Sequence, residues 1–576
     1  MRYPTLTVPK QTRETTATFG GYNAGLRIGG GEFSEMENMT SDGYPTLSPR
    51  KPRRHYADGS ALQGLIARDS LCYVDGPYFV MDGYRVNLEL SERPADCPKR
   101  LISMGAYVVI FPDKKYINTV DLSDCGNLEA HVQRQSVEAM PCGFDGSEEA
   151  ADYICAAEPE APVGGQLWLD TSETPHVLRR WSEAAGLWAE VETSYVRLSA
   201  PGIGEPFSAG DAVTIAGTED LDGSVIVQSC GEDFLIVNGL LPGQALIASM
   251  EITRSVPEMD FVIESGNRLW GCRYGLSAEG AVVNELYASA LGDFKNWNRF
   301  QGLSTDSYRV SLGSDGRFTG AIAHLGYPLF FKSDCLHKVY GTEPASYRLQ
   351  STPCRGVQAG SEESLAIAGE TLYYNSATGV CAYDGSLPRE VSPQLGKKSY
   401  SRAVAAALGS KYYIAMEGED KVGCLFVYDT ARGLWHREDS FRPAALCACR
   451  GALYAIRENR KEIITLSGGD GAPIEDSVHW YAVTGTIGAG SADSRYLDAL
   501  LVRLSMDEGS RVHFYLRYDS RGPWEHAGSL TGTGLGSFSV PIRPRRSDHL
   551  HLKIAGTGGA AVYAITRITE SGGDPL

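Results

Sequence analysis

Five stretches of this chain start on a turn residue and run straight into an aromatic strand: NRLWGCRYG from 267, YPLFFKSD from 327, GETLYYNS from 369, GSKYYIAM from 409 and GALYAIREN from 451. The last three gaps are 42, 40 and 42 residues, the length of a four-stranded antiparallel sheet with its turns. One such sheet cannot cover both of its faces, whereas sheets stacked radially bury the faces between neighbours and leave only short edges. The period therefore predicts a β-propeller, with a sandwich array or a solenoid as the alternative arrangement. Earlier paired strands around turns, at 63–90 and 99–124, fit the same scheme and bring the expected number of blades to six or seven. Within it, VYDTARGLWHRED (427–439) reads as the two outer strands of one blade. Asp429 opens the turn, Gly433 supplies a positive φ, and Trp435 packs against a neighbouring blade.

Composition agrees with an all-β chain. Among 576 residues there are 65 glycines and 30 tyrosines, and no stretch has the pattern of a long helix. A formal net charge of -18 argues against gripping nucleic acid, which takes clustered Lys and Arg. The opening MRYPTLTVPKQTRETTATF lacks a signal-peptide core, and no run of about 18 apolar residues could span a bilayer, so the protein is expected to be cytosolic when made. Thirteen scattered cysteines, with only a C-x-C pair at Cys447 and Cys449, read as reduced thiols.

Changes in pattern divide the chain into an N-terminal extended arm (1–58), a propeller (59–129 and 257–475), an insertion (130–256) and a C-terminal β-sandwich (476–576). The insertion begins in an acidic, Gly/Pro-rich stretch. It then gives strand pairs around Trp168, Trp181 and Trp188 and an alternating run at 209–239, as in a small β-barrel or sandwich.

Signals for chemistry are sparse. Neither a P-loop nor a G-x-S-x-G elbow occurs, and Gly29-Gly30-Gly31 lacks the strand and helix of a dinucleotide site. Asp548-His549-Leu550-His551 places two histidines on one strand face, too few for a metal centre. The expectation is thus no catalytic residue, metal or cofactor. Candidate partner contacts are the basic runs carrying Arg50, Arg53 and Arg54 and Arg543, Arg545 and Arg546, together with the three tryptophans, whose rings could alternatively stack on sugars. A propeller glycosidase using Asp429 or Asp519 is the least favoured reading.

The opening FGGYNAGLRIGGGEFSEMENMTSDGYPTLSPRKPR, with Phe19-Gly20-Gly21, Glu37-Asn38-Met39, Gly43-Tyr44-Pro45 and Pro49-Arg50, resembles that of tailed-bacteriophage β-propeller proteins. The stretch carrying Gly165, Leu167, Trp168, Asp170, Thr171, Ser172 and Pro175 is similar to a short module of phage minor structural proteins, and YDSRGPWE with PIRPRRSDHL resembles the terminal sandwich of prophage-encoded chains. This resemblance implies a structural tail component, a hub, nozzle or packaged-DNA stabilisation protein, made in the bacterial host cytoplasm and located in the virion tail. It implies a ring of copies, a hexamer, beneath portal and adaptor, with tail-fibre proteins as further partners and DNA present only in transit. The long insertion is a departure from that pattern.

Overall fold

The computed structural model describes residues 11–94, 98–218, 220–278, 280–488, 495–520, 522–543 and 545–571, and over these the protein is all-β apart from three single-turn 3-10 helices. Seven four-stranded sheets, spanning 62–87, 100–127, 261–311, 318–353, 366–390, 400–437 and 443–467, form the blades of a propeller. The innermost strands follow one another round the ring, with the 3-10 turn Glu362–Ser364 lying against the innermost strand of blade four, and Pro443–Cys449 of blade seven lies against Leu62–Ala67 of blade one.

Blade six shows why the repeat is aromatic and not alternating. Its second strand, Lys411–Gly418, is buried from Tyr412 onward. Tyr412, Ile414 and Met416 pack toward blade five, while Tyr413 and Ala415 pack toward blade seven. A strand covered on both faces favours apolar and aromatic side chains at successive positions, here Tyr412 to Met416, and the buried Glu417 near its end is matched by Arg442 and Lys421. The five aromatic starts in the sequence mark the second strand of blades three to seven.

Stretch 427–439 forms the outer edge of blade six, from Gly423–Asp429 into Leu434–Arg437. Asp429 accepts from the backbone N–H of Arg432 and, at 2.7 Å each, from Ser41 Oγ and Arg432 Nη1. Burial works to raise its carboxyl pKa, but these hydrogen bonds outweigh it and leave the group below its ordinary range. Gly433 takes φ +69°. Trp435 is 1% exposed and donates from Nε1 to Val391 O of blade five at 2.8 Å.

The N-terminal stretch, expected as an arm, is woven into both large units. Arg54–Asp58 is the fourth strand of blade seven, pairing with Glu462–Ser467 and closing the ring with hydrogen bonds. Gln11–Thr16 pairs with Ala560–Ser571, and Glu32–Glu37 pairs with His479–Thr484. The sandwich is therefore built from both ends of the chain, and Phe19, Phe33, Met36, Met39 and Leu47 sit in its core with Trp480, Phe514 and Ile554. The reason is topological: a ring closed by an early strand brings residues 54 and 467 together, so the flanking segments lie side by side and can share a core.

The insertion leaves after blade two and returns at the first strand of blade three. It forms a closed six-stranded barrel, in which Ala130–Cys142 and Ala245–Arg254 pair to seal the wall, and a separate four-stranded sheet over 153–190. The barrel is tied to blade three through Asn296, whose Oδ1 accepts from Ala212 N at 2.8 Å and whose Nδ2 donates to Asp211 Oδ1 at 3.0 Å. Among the described residues, no helix is long and apolar enough to cross a membrane.

Candidate functional site

The basic run at 50–54 is the part of the sequence whose placement is most informative. Arg50 and Arg53 are buried, not free for a partner, and both enter a cluster with Glu438, Asp439 and Glu475. Arg50 forks onto Glu475, with both Nη–Oε distances 2.7 Å, and its Nε donates to Asn38 Oδ1 at 2.8 Å. Arg53 donates to Asp439 Oδ2 at 2.8 Å and Glu438 Oε2 at 3.0 Å, and its guanidinium stacks over Phe441. Burial pushes the Glu438 carboxyl above its usual range, with Arg53 and Arg50 opposing, whereas Arg50 and the Arg53 backbone N–H bring Glu475 below its usual range despite burial. Arg54 alone is exposed, donating to Gly471 O at 2.9 Å. The cluster joins the closing strand, the edge of blade six and the segment entering the sandwich.

Motif residues at the start of the chain serve the same joint. Gly21, at φ +78°, lies where a Cβ would come within 2.4 Å of Trp435 O, so only glycine fits this approach of sandwich to blade six. Asn38, at φ +56°, donates to His479 O at 2.7 Å.

The three tryptophans of the insertion form one cluster in the four-stranded sheet. Trp168 and Trp188 are buried, and Trp188 meets Trp168 and Trp181 edge-on, each at 5.5 Å. Only Trp181 is half-exposed, so these rings form a core in place of the expected contact surface. Arg543, Arg545 and Arg546 are exposed; Arg545 pairs with Glu525 at 3.0 Å and covers the Tyr518 ring. Asp429 and Asp519 are in different units, and Asp519 caps a turn by accepting from Asp548 N at 2.9 Å.

At the propeller hub, a cavity of about 180 Å³ is lined chiefly by the innermost strands, with Leu65, Val404, Ala405 and Ala445 on its wall. Arg100 of blade two and Glu363 beside blade five form a 3.1 Å ion pair there. A glycosidase needs two carboxylates flanking one bond, and Glu363, the one carboxylate on this lining, is already matched to an arginine.

A second hollow of about 340 Å³ opens at the rim of blade three beside Tyr274, Asn284, Glu285, Ser314 and Asp315. Burial acts to raise Glu285, but hydrogen bonds from Arg309 and Tyr287 hold it low; Asp315 is held low by the Tyr274 hydroxyl. A general acid needs the opposite shift. Behind this wall Ser314 Oγ lies 3.0 Å from His337 Nε2, and His337 Nδ1 lies 2.8 Å from Ser351 Oγ. The order resembles a nucleophile, base and orienter, but burial and then the Lys332 ammonium push His337 down to about 4, too low for a base at neutral pH.

Burial likewise takes His436 down to about 4, with Lys411 adding to the effect. Both imidazoles stay neutral in the fold, while the unfolded chain protonates them near 6.5. The stability they contribute is complete above pH 6.5 and declines as pH falls toward 4, by up to about 1.4 kcal/mol per pH unit for each group. The thermal midpoint is expected to drop between pH 6.5 and 5, and His337→Gln is expected to flatten that slope; equal slopes for parent and variant would contradict it.

No family model matches the sequence, and no curated protein matches it. Solved structures give distant likenesses. An exo-β-1,3-galactanase from Phanerochaete chrysosporium aligns at 10% identity over 53% of this chain and 94% of its own, TM-score 0.22. PorZ, a surface component of the type-IX secretion system of Porphyromonas gingivalis, aligns at 11% over 83% and 71%, TM-score 0.26. BamB from Moraxella catarrhalis aligns at 13% over 59% and 99%, TM-score 0.24. At these TM-scores the likeness adds nothing to the strand pairing described above. Among the described residues, no group of three or more His, Cys, Asp or Glu side chains is arranged to hold a metal ion.

Proposed function

We propose that this chain is a non-catalytic structural protein of a tailed-phage virion, a stiff body that packs with copies of itself in the tail. The observation carrying this reading is the joint made by residues 19–58. The segment that resembles phage propeller proteins fastens the ring closure, blade six and the sandwich through Arg50, Arg53, Asn38 and Gly21. A ring component under load needs its modules held together in this way, and a buried ion cluster fixes their geometry more than it adds net stability.

The acidic balance, -18, suits a surface along which DNA moves without being held. Any such path runs between copies around the ring axis. The hub cavity, about 180 Å³, equals roughly six waters at about 30 Å³ each, far too small for a duplex. An adhesive role resting on three sugar-stacking tryptophans is disfavoured, because Trp168 and Trp188 are buried.

Purified protein is expected to form closed rings by negative-stain microscopy and mass photometry, six copies being what the resemblance implies, and antibody against the chain is expected to label virion tails. A protein that stays monomeric at all concentrations and is absent from virions would overturn the proposal.

A further inference from the structure

Two histidine pairs on the six-stranded sheet of the sandwich each converge on a serine hydroxyl, and they differ in one respect that bears on ligand binding. In the first pair, Ser520 Oγ lies 2.7 Å from His549 Nε2 and 2.9 Å from His551 Nε2. The remaining nitrogens are already committed: His549 Nδ1 to Asp548 Oδ2 at 3.0 Å, and His551 Nδ1 to the backbone oxygen of Thr484 at 3.3 Å. A carboxylate and a carbonyl can only accept, so each imidazole carries its proton on Nδ1 and presents a lone pair at Nε2. Ser520 has one hydrogen to offer two lone pairs. With both imidazoles neutral, one ring nitrogen therefore faces an oxygen with nothing between them.

In the second pair, Ser529 Oγ lies 2.7 Å from His513 Nδ1 and 2.8 Å from His526 Nε2. Here neither second nitrogen is held by a fixed acceptor among the described residues. One ring can donate to the hydroxyl while the other accepts from it, and the pair is satisfied as it stands.

We infer that His549 and His551, although short of the three or four protein ligands of a structural or catalytic metal centre, form a two-imidazole surface site for a divalent transition-metal cation of the zinc, nickel or copper class. A cation near the Ser520 hydroxyl would take both lone pairs at once, at about 2.0–2.1 Å after a small inward shift of each ring. Nδ1–H donation to a carboxylate or a backbone carbonyl is the arrangement that fixes the tautomer and aim of metal-binding histidines. Imidazole nitrogens select this class over magnesium or calcium, which prefer oxygen ligands. Ser520 is exposed on the hairpin loop and free to turn its hydroxyl aside. Two protein ligands leave the other positions to water, so binding is moderate. The sequence motif Asp548-His549-Leu550-His551 supplies the pair and one supporting carboxylate; the sequence could not supply the Thr484 carbonyl, which arrives from a neighbouring strand.

The test is titration of the chelator-treated full-length chain with zinc chloride by calorimetry, paralleled by thermal melts. The parent is expected to bind one equivalent in the micromolar range. His549→Ala and His551→Ala are expected to weaken this site at least tenfold, His513→Ala to leave it unchanged, and Ser520→Gly to bind at least as tightly as the parent, since the cation replaces the hydroxyl. No zinc uptake by the folded parent up to millimolar concentration would overturn the inference. So would uptake that survives both His549→Ala and His551→Ala, or that is lost only with His513→Ala.

Discussion

Trp435→Ala is expected to lower the stability of the propeller by about 3–5 kcal/mol, the range for truncating a fully buried aromatic side chain. The indole lies between blades five and six, tilted against Tyr428 at 4.8 Å and edge-on to Phe426 at 6.3 Å. Its removal leaves a cavity at an interface that both sheets hold rigidly, with little room to collapse. The Val391 carbonyl also loses its donor. Trp435→Phe keeps much of the packing but not the hydrogen bond and should cost about 1–3 kcal/mol. Urea unfolding followed by tyrosine and tryptophan fluorescence reads both. A Trp435→Ala midpoint equal to the parent's would mean that the blade interface is not packed as described.

The propeller was legible because its signal is local. The second strands of blades three to seven each carry aromatic residues within a largely apolar run, since both faces are covered, and that pattern recurs at the length of one blade. The same local reading placed Asp429, Gly433 and Trp435 in their turn and strand. It failed for residues 11–58, because nothing within that segment says which strands it joins. Gln11–Thr16 finds its partner in Ala560–Ser571, more than five hundred residues away, and pairing at that separation leaves no periodic trace in either strand. Glu32–Glu37 buries Phe33 and Met36, three residues apart across an irregularity in the strand's pairing, and they belong to a core that only the other end of the chain completes.

The charged residues illustrate the same limit. SPRKPRR looks like a surface patch when read alone, and ArgGluAsp at 437–439 looks like an exposed turn. Their opposite signs were the available clue that one run answers the other, but sequence order does not say that a closing strand lays Arg53 against Glu438. Trp168, Trp181 and Trp188 were legible as a group and misread as a surface, because three aromatic residues spaced over a small sheet fit a core as well as a binding face. Their mutual edge-on contacts decide for the core.

Arg53→Ala is expected to be as damaging as the loss of Trp435, by a different mechanism. It leaves Glu438, buried and 4% exposed, with only Arg50 at 3.7 Å to answer its charge. Removing one member of a buried ion pair costs about 3–5 kcal/mol, most of it from stranding the other charge. Burial already holds the Glu438 pKa above its ordinary value against the pull of Arg53 and then Arg50, so deleting Arg53 raises it further. A carboxyl with a raised folded pKa destabilises the fold when ionised and ceases to do so as pH falls through that value. The defect should therefore be largest at pH 7–8 and shrink toward pH 5. It should change little with added salt, since buried charges are poorly screened. Adding Glu438→Gln to Arg53→Ala is expected to restore much of the loss at neutral pH. If the double variant melts no higher than Arg53→Ala at pH 7.5, the cost lies in lost packing of the guanidinium on Phe441, 4.7 Å away, and the cluster acts by shape instead of charge.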